Sequence, residues 1–356
     1  MLSPGDFRDL VSGRRRGFGA TLVRAMLRGI ELPYATAVAW RNWRYDTRRA
    51  TVHRVRVPVI CVGNLTLGGT GKTPLVKWIA RRLQAKGRRV TIVSRGYAAS
   101  RQDAANDEAL ELEQSLAGVP HVQNPDRVAA ARRAMAEFGA QVILLDDGFQ
   151  HRRLARDLDI VLLDALEPFG FEHVFPRGTL RESLVGLARA EVVVLSRCEV
   201  LDRPGRAEIR RRVAQLAPHA AWVETTPRAD GLLSAAGLQR PLDALSGQRV
   251  AAFCGIGNPA GFRHTLEQAG LNVVAFREFA DHHRYERQDV EQLDKWAARA
   301  KAQCAVCTHK DLVKLRVERL GAVPLWALGI ELEFVAGLSG LEQKLDALFA
   351  TPTASG

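Results

Sequence analysis

Apolar and polar positions fall into blocks along this chain, and the length of each block predicts the element it forms. Short, nearly continuous apolar runs stand at residues 57–62, 90–93, 141–145, 159–164 and 191–195. Runs of this length between turn signals read as strands covered on both faces. Segments of helical period lie between them, one following Lys72 and another running from Arg127 to Phe138. Strand followed by helix, repeated over residues 51–220, predicts a mostly parallel sheet flanked by helices, with ligands at the strands' carboxyl ends.

The rhythm changes at 221–235, where two short β-patterned runs flank Pro227-Arg228-Ala229-Asp230-Gly231 and predict a hairpin-like connector. Residues 236–350 then resume alternation, with strands expected at 249–254, 273–276, 302–308 and 324–328. That makes a second, smaller α/β domain. Residues 1–50 are a separate N-terminal segment. Within it Phe18, Leu22, Val23, Met26, Leu27 and Ile30 share one helical face, with Arg24, Arg28 and Glu31 opposite. The charges and Pro33 interrupt the segment too often for it to span a bilayer, and no small-residue cleavage site follows. An amphipathic helix lying on a membrane is expected, with Trp40, Trp43 and Tyr45 among arginines as its interfacial flank. A helix packed on the domain's own core is the alternative.

Charge sharpens this picture. The chain of 356 residues has a net charge of +12, and residues 1–56 hold twelve Arg against four Asp/Glu. The basic signal is therefore local and points to an anionic surface met by residues 14–49, with no nucleic acid or protein partner implied. The composition is that of an ordinary globular enzyme. Five cysteines, mostly in apolar runs, suit a reducing compartment, and Cys304-x-x-Cys307 lacks the second pair of a zinc site.

Candidate chemistry begins after the first strand, at Gly63-Asn64-Leu65-Thr66-Leu67-Gly68-Gly69-Thr70-Gly71-Lys72-Thr73-Pro74. Strand, glycine loop and helix form the phosphate cradle of a P-loop: inward N–H groups, a helix N-terminus and a lysine. Gly68, Gly69, Thr70, Gly71 and Lys72 would hold the phosphates of ATP, and Thr73 would face Mg²⁺. Thr66 occupies the position where the usual spacing has glycine, which gives the deviant form of the loop. Downstream, the run 141–145 ends in Asp146-Asp147, the arrangement that brings a carboxylate to the metal edge of a nucleotide site. Arg95, at the end of the second strand, is a candidate phosphate contact or a surface residue. Ser196-Arg197-Cys198-Glu199 stands where a GTPase reads guanine, and argues against that base. Asp281-His282-His283-Arg284-Tyr285 offers a histidine for acid/base work or a capping turn.

Jointly these pieces resemble the tetraacyldisaccharide 4'-kinases, the lipid A 4'-kinases of Gram-negative bacteria. The motifs that carry the resemblance are the loop 62–74, Ser94-Arg95-Gly96-Tyr97, Asp146-Asp147-Gly148-Phe149-Gln150-His151, Gly178-Thr179-Leu180-Arg181-Glu182, Asp281-His282-His283-Arg284-Tyr285 and residues 308–315. The resemblance implies transfer of the ATP γ-phosphoryl group to the 4'-hydroxyl of an acylated glucosamine disaccharide 1-phosphate, by a peripheral enzyme on the cytoplasmic face of the inner membrane. It also implies Asp107 as the base and a histidine of the His282-His283 pair as its partner. Asp146, Asp147, Glu182 and Thr73 become metal candidates, and Arg95, Glu108, Arg127 and His151 substrate or phosphate contacts. Two departures stand out. Asn106 and Ala109 replace the residues that flank the paired carboxylates in that family, and His309 replaces a glutamate. A membrane-recruited ATPase switch shares the deviant loop but carries a lysine where Leu67 stands. A soluble small-molecule kinase or ligase with a basic tail is the third class.

Overall fold

The computed structural model describes residues 4–96, 110–281 and 283–350. Through the first half its sheet follows the five apolar runs and adds a three-residue edge strand at 121–123 that no run announces. Strands β1 (Val59–Asn64), β2 (Val90–Ser94), β3 (His121–Gln123), β4 (Val142–Asp146), β5 (Leu158–Asp164) and β6 (Val192–Ser196) pair in parallel, in the order β6-β5-β1-β4-β2-β3. Every residue of β1 and β4 is buried, because helices cover both faces. One apolar layer includes Cys61, Ile143, Leu145 and Val193 and the other Ile60, Val62, Leu144 and Val194, so alternate residues of each strand feed opposite cores. The helices are α1 (Pro4–Val11), α2 (Phe18–Asp46), α3 (Lys72–Ala85), α4 (110–115), α5 (Arg127–Phe138), α6 (Arg203–Leu216), α7 (Pro259–Gln268), α8 (Arg287–Arg299), α9 (His309–Leu315) and α10 (Leu338–Ala347). The five cysteines are buried free thiols.

Residues 221–235 do not form a hairpin. Ala221–Leu233 is one strand, β7. Its first residues pair in parallel with β6, and from Glu224 on it pairs antiparallel with β13 (Val323–Ala336). Pro227 is tolerated because β6 no longer borders β7 there, so the strand is paired on one side only. Gly231 is needed for close approach, since a Cβ would sit 2.9 Å from the Arg240 carbonyl oxygen. Turn-forming letters thus mark a single-sided stretch and a bulge. Beyond the ribbon, β11 (Cys304–Thr308), β9 (Arg249–Cys254) and β10 (Asn272–Glu278) extend the sheet in parallel, while the short strands β8 (Gln239–Arg240) and β12 (Arg319–Leu320) pair antiparallel with β7 and β13. The final helix, α10 (Leu338–Ala347), leaves this second half and buries Leu341 and Leu345 in the core beneath α3.

A second contact ties the halves together. Helix α9 (His309–Leu315) starts at the end of β11, and His309 Nε2 lies 3.1 Å from Gln114 Oε1. Its Nδ1 is 3.9 Å from Glu111 Oε1, which also accepts from Lys77 of α3 at 2.7 Å. Burial pulls the pKa of His309 down to about 4, against the opposing charge of Glu111. Between pH 6.5 and 4 the unfolded chain takes up a proton at this position that the folded chain does not, so stability falls as pH drops through that window. Chemical denaturation across pH 4–7 should show that fall, and His309→Gln should reduce it by this residue's share, His151 contributing over the same window. A variant whose profile matches the parent would refute a buried neutral imidazole here.

Candidate functional site

The site lies where β1 and β4, adjacent and parallel, release the chain at their carboxyl ends. Asn64 closes β1, and its buried amide shapes the glycine loop beyond it. Nδ2 donates to the Thr66 carbonyl at 2.8 Å, while Oδ1 accepts from Lys72 Nζ at 3.3 Å. The loop then turns through Gly68 (φ +107°) and Gly71 (φ +79°), conformations that favour glycine, and α3 starts at Lys72. Neighbouring segments hold the outer edge of the loop. Leu67 N donates to the Thr179 carbonyl and Arg181 N to the Leu65 carbonyl, both at 2.7 Å. Ser196 Oγ donates to the Thr70 carbonyl at 2.8 Å, and Arg197 bridges the Gly69 carbonyl and Asp164. Thr66 bridges Leu180 by its backbone, so the position calls for an extended residue and no glycine is required.

Inside the loop, the Thr70 hydroxyl is buried and has no hydrogen-bond partner among the described residues. A buried hydroxyl beside a helix N-terminus and a lysine is the donor a phosphate oxygen would satisfy. The residues present therefore fit a nucleoside triphosphate. Asp147, held at φ +52° just past β4, pairs with Lys72 Nζ at 3.3 Å and with Arg181 Nη1 at 2.9 Å. Burial pushes its carboxyl up, but Lys72 and Arg181 outweigh burial and hold it below the usual carboxylate range. Asp146 is buried at the end of β4, and Thr73 sits half-buried in the first turn of α3. Among the described residues no group of three or more His, Cys, Asp or Glu could hold a metal ion. Two carboxylates and a hydroxyl suit Mg²⁺ shared with a phosphate better than a caged ion.

The loop 148–151 is clamped against β1. A Cβ at Gly63 would stand 2.6 Å from Phe149 Cβ, which explains a glycine near the end of a buried strand. Gln150 Nε2 donates to the Asn64 carbonyl at 2.9 Å. Arg156 gathers the carbonyls of Gly148, Phe149 and His151 and is neutralised by Asp159 at 3.1 Å.

The remaining expected residues divide. Glu182 is fully buried, but its oxygens accept from Arg189 (2.9 Å), Asn42 (2.7 Å) and Gln150 (3.2 Å). That carboxylate is saturated by protein donors and braces the clamp, so the geometry gives it no place at a metal. His151 and Arg127 come together. Burial, then Arg127 and Arg153, pulls the imidazole down to about 4, and its buried Nε2 has no hydrogen-bond partner among the described residues. Arg95 is exposed at the end of β2. Asp107, Glu108 and His282 lie outside the described residues. His283 stacks on Phe279 at 4.7 Å, meets Tyr285 edge-on, and bonds Asp289 at 2.9 Å. Sequence reading passed over Asn64, Gln150, Arg181 and Arg197 as site residues. The signal for Arg197 was its place beyond β6, used only to exclude guanine, and the signal for Arg181 was its motif.

The family model for tetraacyldisaccharide-1-P 4'-kinase matches residues 23–350. A tetraacyldisaccharide 4'-kinase of Anaeromyxobacter sp. (strain K) is 41% identical, with 94% of this chain and 93% of that protein aligned. One from Geobacter sulfurreducens is 36% identical over 93% and 96%. Among solved structures, the "apo" form of LpxK from Aquifex aeolicus in complex with ATP superposes with a TM-score of 0.72 at 28% identity. The match covers 92% of this chain and 99% of that one. A triphosphate cradle in a chain aligned over nearly its whole length with these proteins places it plainly: the chain belongs to the tetraacyldisaccharide-1-P 4'-kinase family.

Proposed function

We propose that this chain transfers the γ-phosphoryl group of ATP to the 4'-hydroxyl of a tetraacylated glucosamine disaccharide 1-phosphate, at a membrane surface, in lipid A biosynthesis. The observation that carries the reading is a phosphate cradle and an outward-turned apolar helix on one molecule. Helix α2 packs along Ala20, Arg24, Leu27, Glu31, Ala35, Val38, Asn42 and Tyr45, of which only Glu31 is fully buried. Phe18, Leu22, Met26 and Ile30 all face away from the protein and are more than half exposed. A soluble domain has no reason to pack a line that mixes small, apolar and charged residues while leaving a stripe of large apolar side chains in water, whereas an interfacial helix does. Among the described residues no helix is long and apolar enough to cross a membrane. Seating on the cytoplasmic face of the inner membrane, where ATP and anionic headgroups meet, accounts for both features.

In the mechanism, the backbone N–H groups of 68–71 and Lys72 hold the β- and γ-phosphates, and the Thr70 hydroxyl donates to one of their oxygens. Lys72 and Arg181, both within 3.3 Å of Asp147, keep two positive charges beside the transferred group. Thr73 and Asp146 are the groups to hold Mg²⁺. Bound there, the ion supplies a hard positive charge shared with the phosphate oxygens. Asp107 takes the proton of the 4'-hydroxyl, an assignment that rests on the resemblance. A histidine of the His282-His283 pair assists Asp107, and the contacts of His283 with Asp289, Phe279 and Tyr285 position that segment.

Label from γ-labelled ATP should appear on an acylated disaccharide 1-phosphate in detergent with Mg²⁺, and Lys72→Ala should abolish it. Phosphate released equally with and without acceptor, and no labelled lipid, would favour an ATPase instead. Asp107→Ala should slow transfer about 10²–10⁴-fold, the usual worth of a general base, and a change of only a few-fold would remove Asp107 from that role. Replacing Leu22, Met26 and Ile30 together with Gln should weaken flotation with anionic vesicles while leaving thermal stability unchanged, because these side chains are already exposed. Full vesicle binding in that variant would argue against an interfacial helix.

A further inference from the structure

Arginine gathers where α1, α2 and the loop 173–178 meet. Arg177 Nη1 donates to the Val11 carbonyl at 2.9 Å. Arg24 Nη1 donates to the Arg15 carbonyl at 2.9 Å and reaches the Leu10 carbonyl at 3.4 Å. Arg28 Nη1 lies 2.8 Å from Glu31 Oε2 and 2.8 Å from His173 Nδ1. A guanidinium has five N–H donors, so each keeps donors beyond these contacts. Glu31, the carboxylate beside them among the described residues, is already engaged, since it accepts from Arg28 and from Val174 N at 2.9 Å. Burial lowers the pKa of Arg177, and the nearby charges of Arg24 and Arg28 lower it further against Glu31. Three guanidinium groups held together against one carboxylate is an arrangement that an anion would relieve.

Its location says which anion. On one side, Thr179 is bonded to Leu67 of the P-loop, and Arg8 of α1 lies 3.7 Å from where a side chain on Gly68 would begin. On the other side lies the exposed apolar face of α2, extended by Tyr34 and Phe175 with rings 6.3 Å apart. A ligand seated here would have acyl chains against the helix, its reacting sugar toward the cradle, and a charged group between.

We propose that Arg24, Arg28 and Arg177 form a second anion site, which binds the phosphate monoester already present on the acceptor. The inference rests on the kinase reading above and deepens it: the enzyme recognises one phosphate in order to place the hydroxyl that receives another. Guanidinium groups pair with phosphate through parallel charge-assisted hydrogen bonds, which a lysine cannot reproduce.

The test uses the full chain and two acceptors, the acylated disaccharide with and without its 1-phosphate. Loss of charge-assisted hydrogen bonds to phosphate is worth roughly ten- to a hundredfold. The parent should therefore show a KM for the phosphate-free acceptor higher by about that factor. Arg177→Gln should bring the ratio of the two KM values toward one, and Arg177→Lys should keep part of it. Arg28→Gln, at an exposed position, should act in the same direction and guards against a folding defect at Arg177. A parent that does not discriminate, or an Arg177→Gln variant that raises both KM values equally, would overturn the site. Flotation with phosphatidylcholine vesicles, with and without phosphatidylglycerol, separates the other source of phosphate. If Arg177→Gln loses phosphatidylglycerol binding while the KM ratio stays at the parent value, the cluster serves membrane headgroups and the assignment to the acceptor is wrong. Failure of the parent to label either acceptor would instead sink the kinase reading itself.

Discussion

A loop that binds phosphate with its backbone must point its N–H groups inward, and this leaves its outward groups to be satisfied by the protein. That constraint organises the first half of the structure. The carbonyls of Leu65, Thr66, Gly69 and Thr70 are taken by Arg181 N, Asn64, Arg197 and Ser196, and Leu67 N by Thr179. These partners come from three separate segments, the ends of β1 and β6 and the loop 179–181. They meet because β1 lies between β4 and β5, with β6 next in line. Parallel pairing brings all their carboxyl ends to one edge. The arginine that braces the loop at 197 and the one that reaches Asp147 from 181 are therefore consequences of the sheet order as much as of local sequence.

The N-terminal helix obeys the opposite logic. An amphipathic helix of a soluble domain buries its apolar stripe, and its moment points to the core. In α2 the contact line carries Arg24, Glu31 and Asn42, each tied to the body by hydrogen bonds, while the apolar stripe faces out. Polar contacts hold this orientation because their geometry is specific. Glu31 is positioned by Val174 N and His173, and Asn42 by the buried Glu182. Polar anchors thus fasten the helix beside the small apolar contacts of Leu27, Ala35 and Val38, and its free face is what a bilayer would cover.

Legibility in the sequence followed burial. Strands covered on both faces announce themselves as apolar runs, so β1, β4, β5 and β6 were readable to within a residue or two, as was the loop after β1. The cradle residues Gly68, Gly71 and Lys72 were readable because the chemistry demands those residue types at that spacing. Errors arose where a letter carries two meanings. Pro227 and Gly231 spell a turn, yet each fits a strand paired on one side, and pairing is a property of the whole sheet. Pro33 reads as a break, yet α2 runs through it to Asp46. Glu182 sits in a motif that reads as catalytic, but Arg189 and Asn42 approach it from 7 and 140 residues away in the chain and claim both of its oxygens. Long-range partners of that kind leave no local trace.

The same dependence on distant pairing bears on how the two halves move. Between the last residue of β7 that pairs with β6, Glu224, and the first that pairs with β8 (Gln239–Arg240), Leu232, the sheet narrows to the β7–β13 ribbon. Bulges at Gly329/Ile330 and Phe334/Ala336 fall in or beside that stretch. Two strands resist bending less than five or six, and bulges concentrate twist, so any rotation of β11, β9 and β10 relative to β1 is cheapest there. The ribbon is not free, however. Trp78 of α3 packs on Phe334 with rings 4.7 Å apart, Arg81 pairs with Glu331 at 2.6 Å, and His309 meets Gln114 on α4. Each of these contacts joins the P-loop helix, or the helix just after the carboxylate-bearing segment, to the half that carries His283. Any movement of the histidine segment toward the cradle would shear these contacts together.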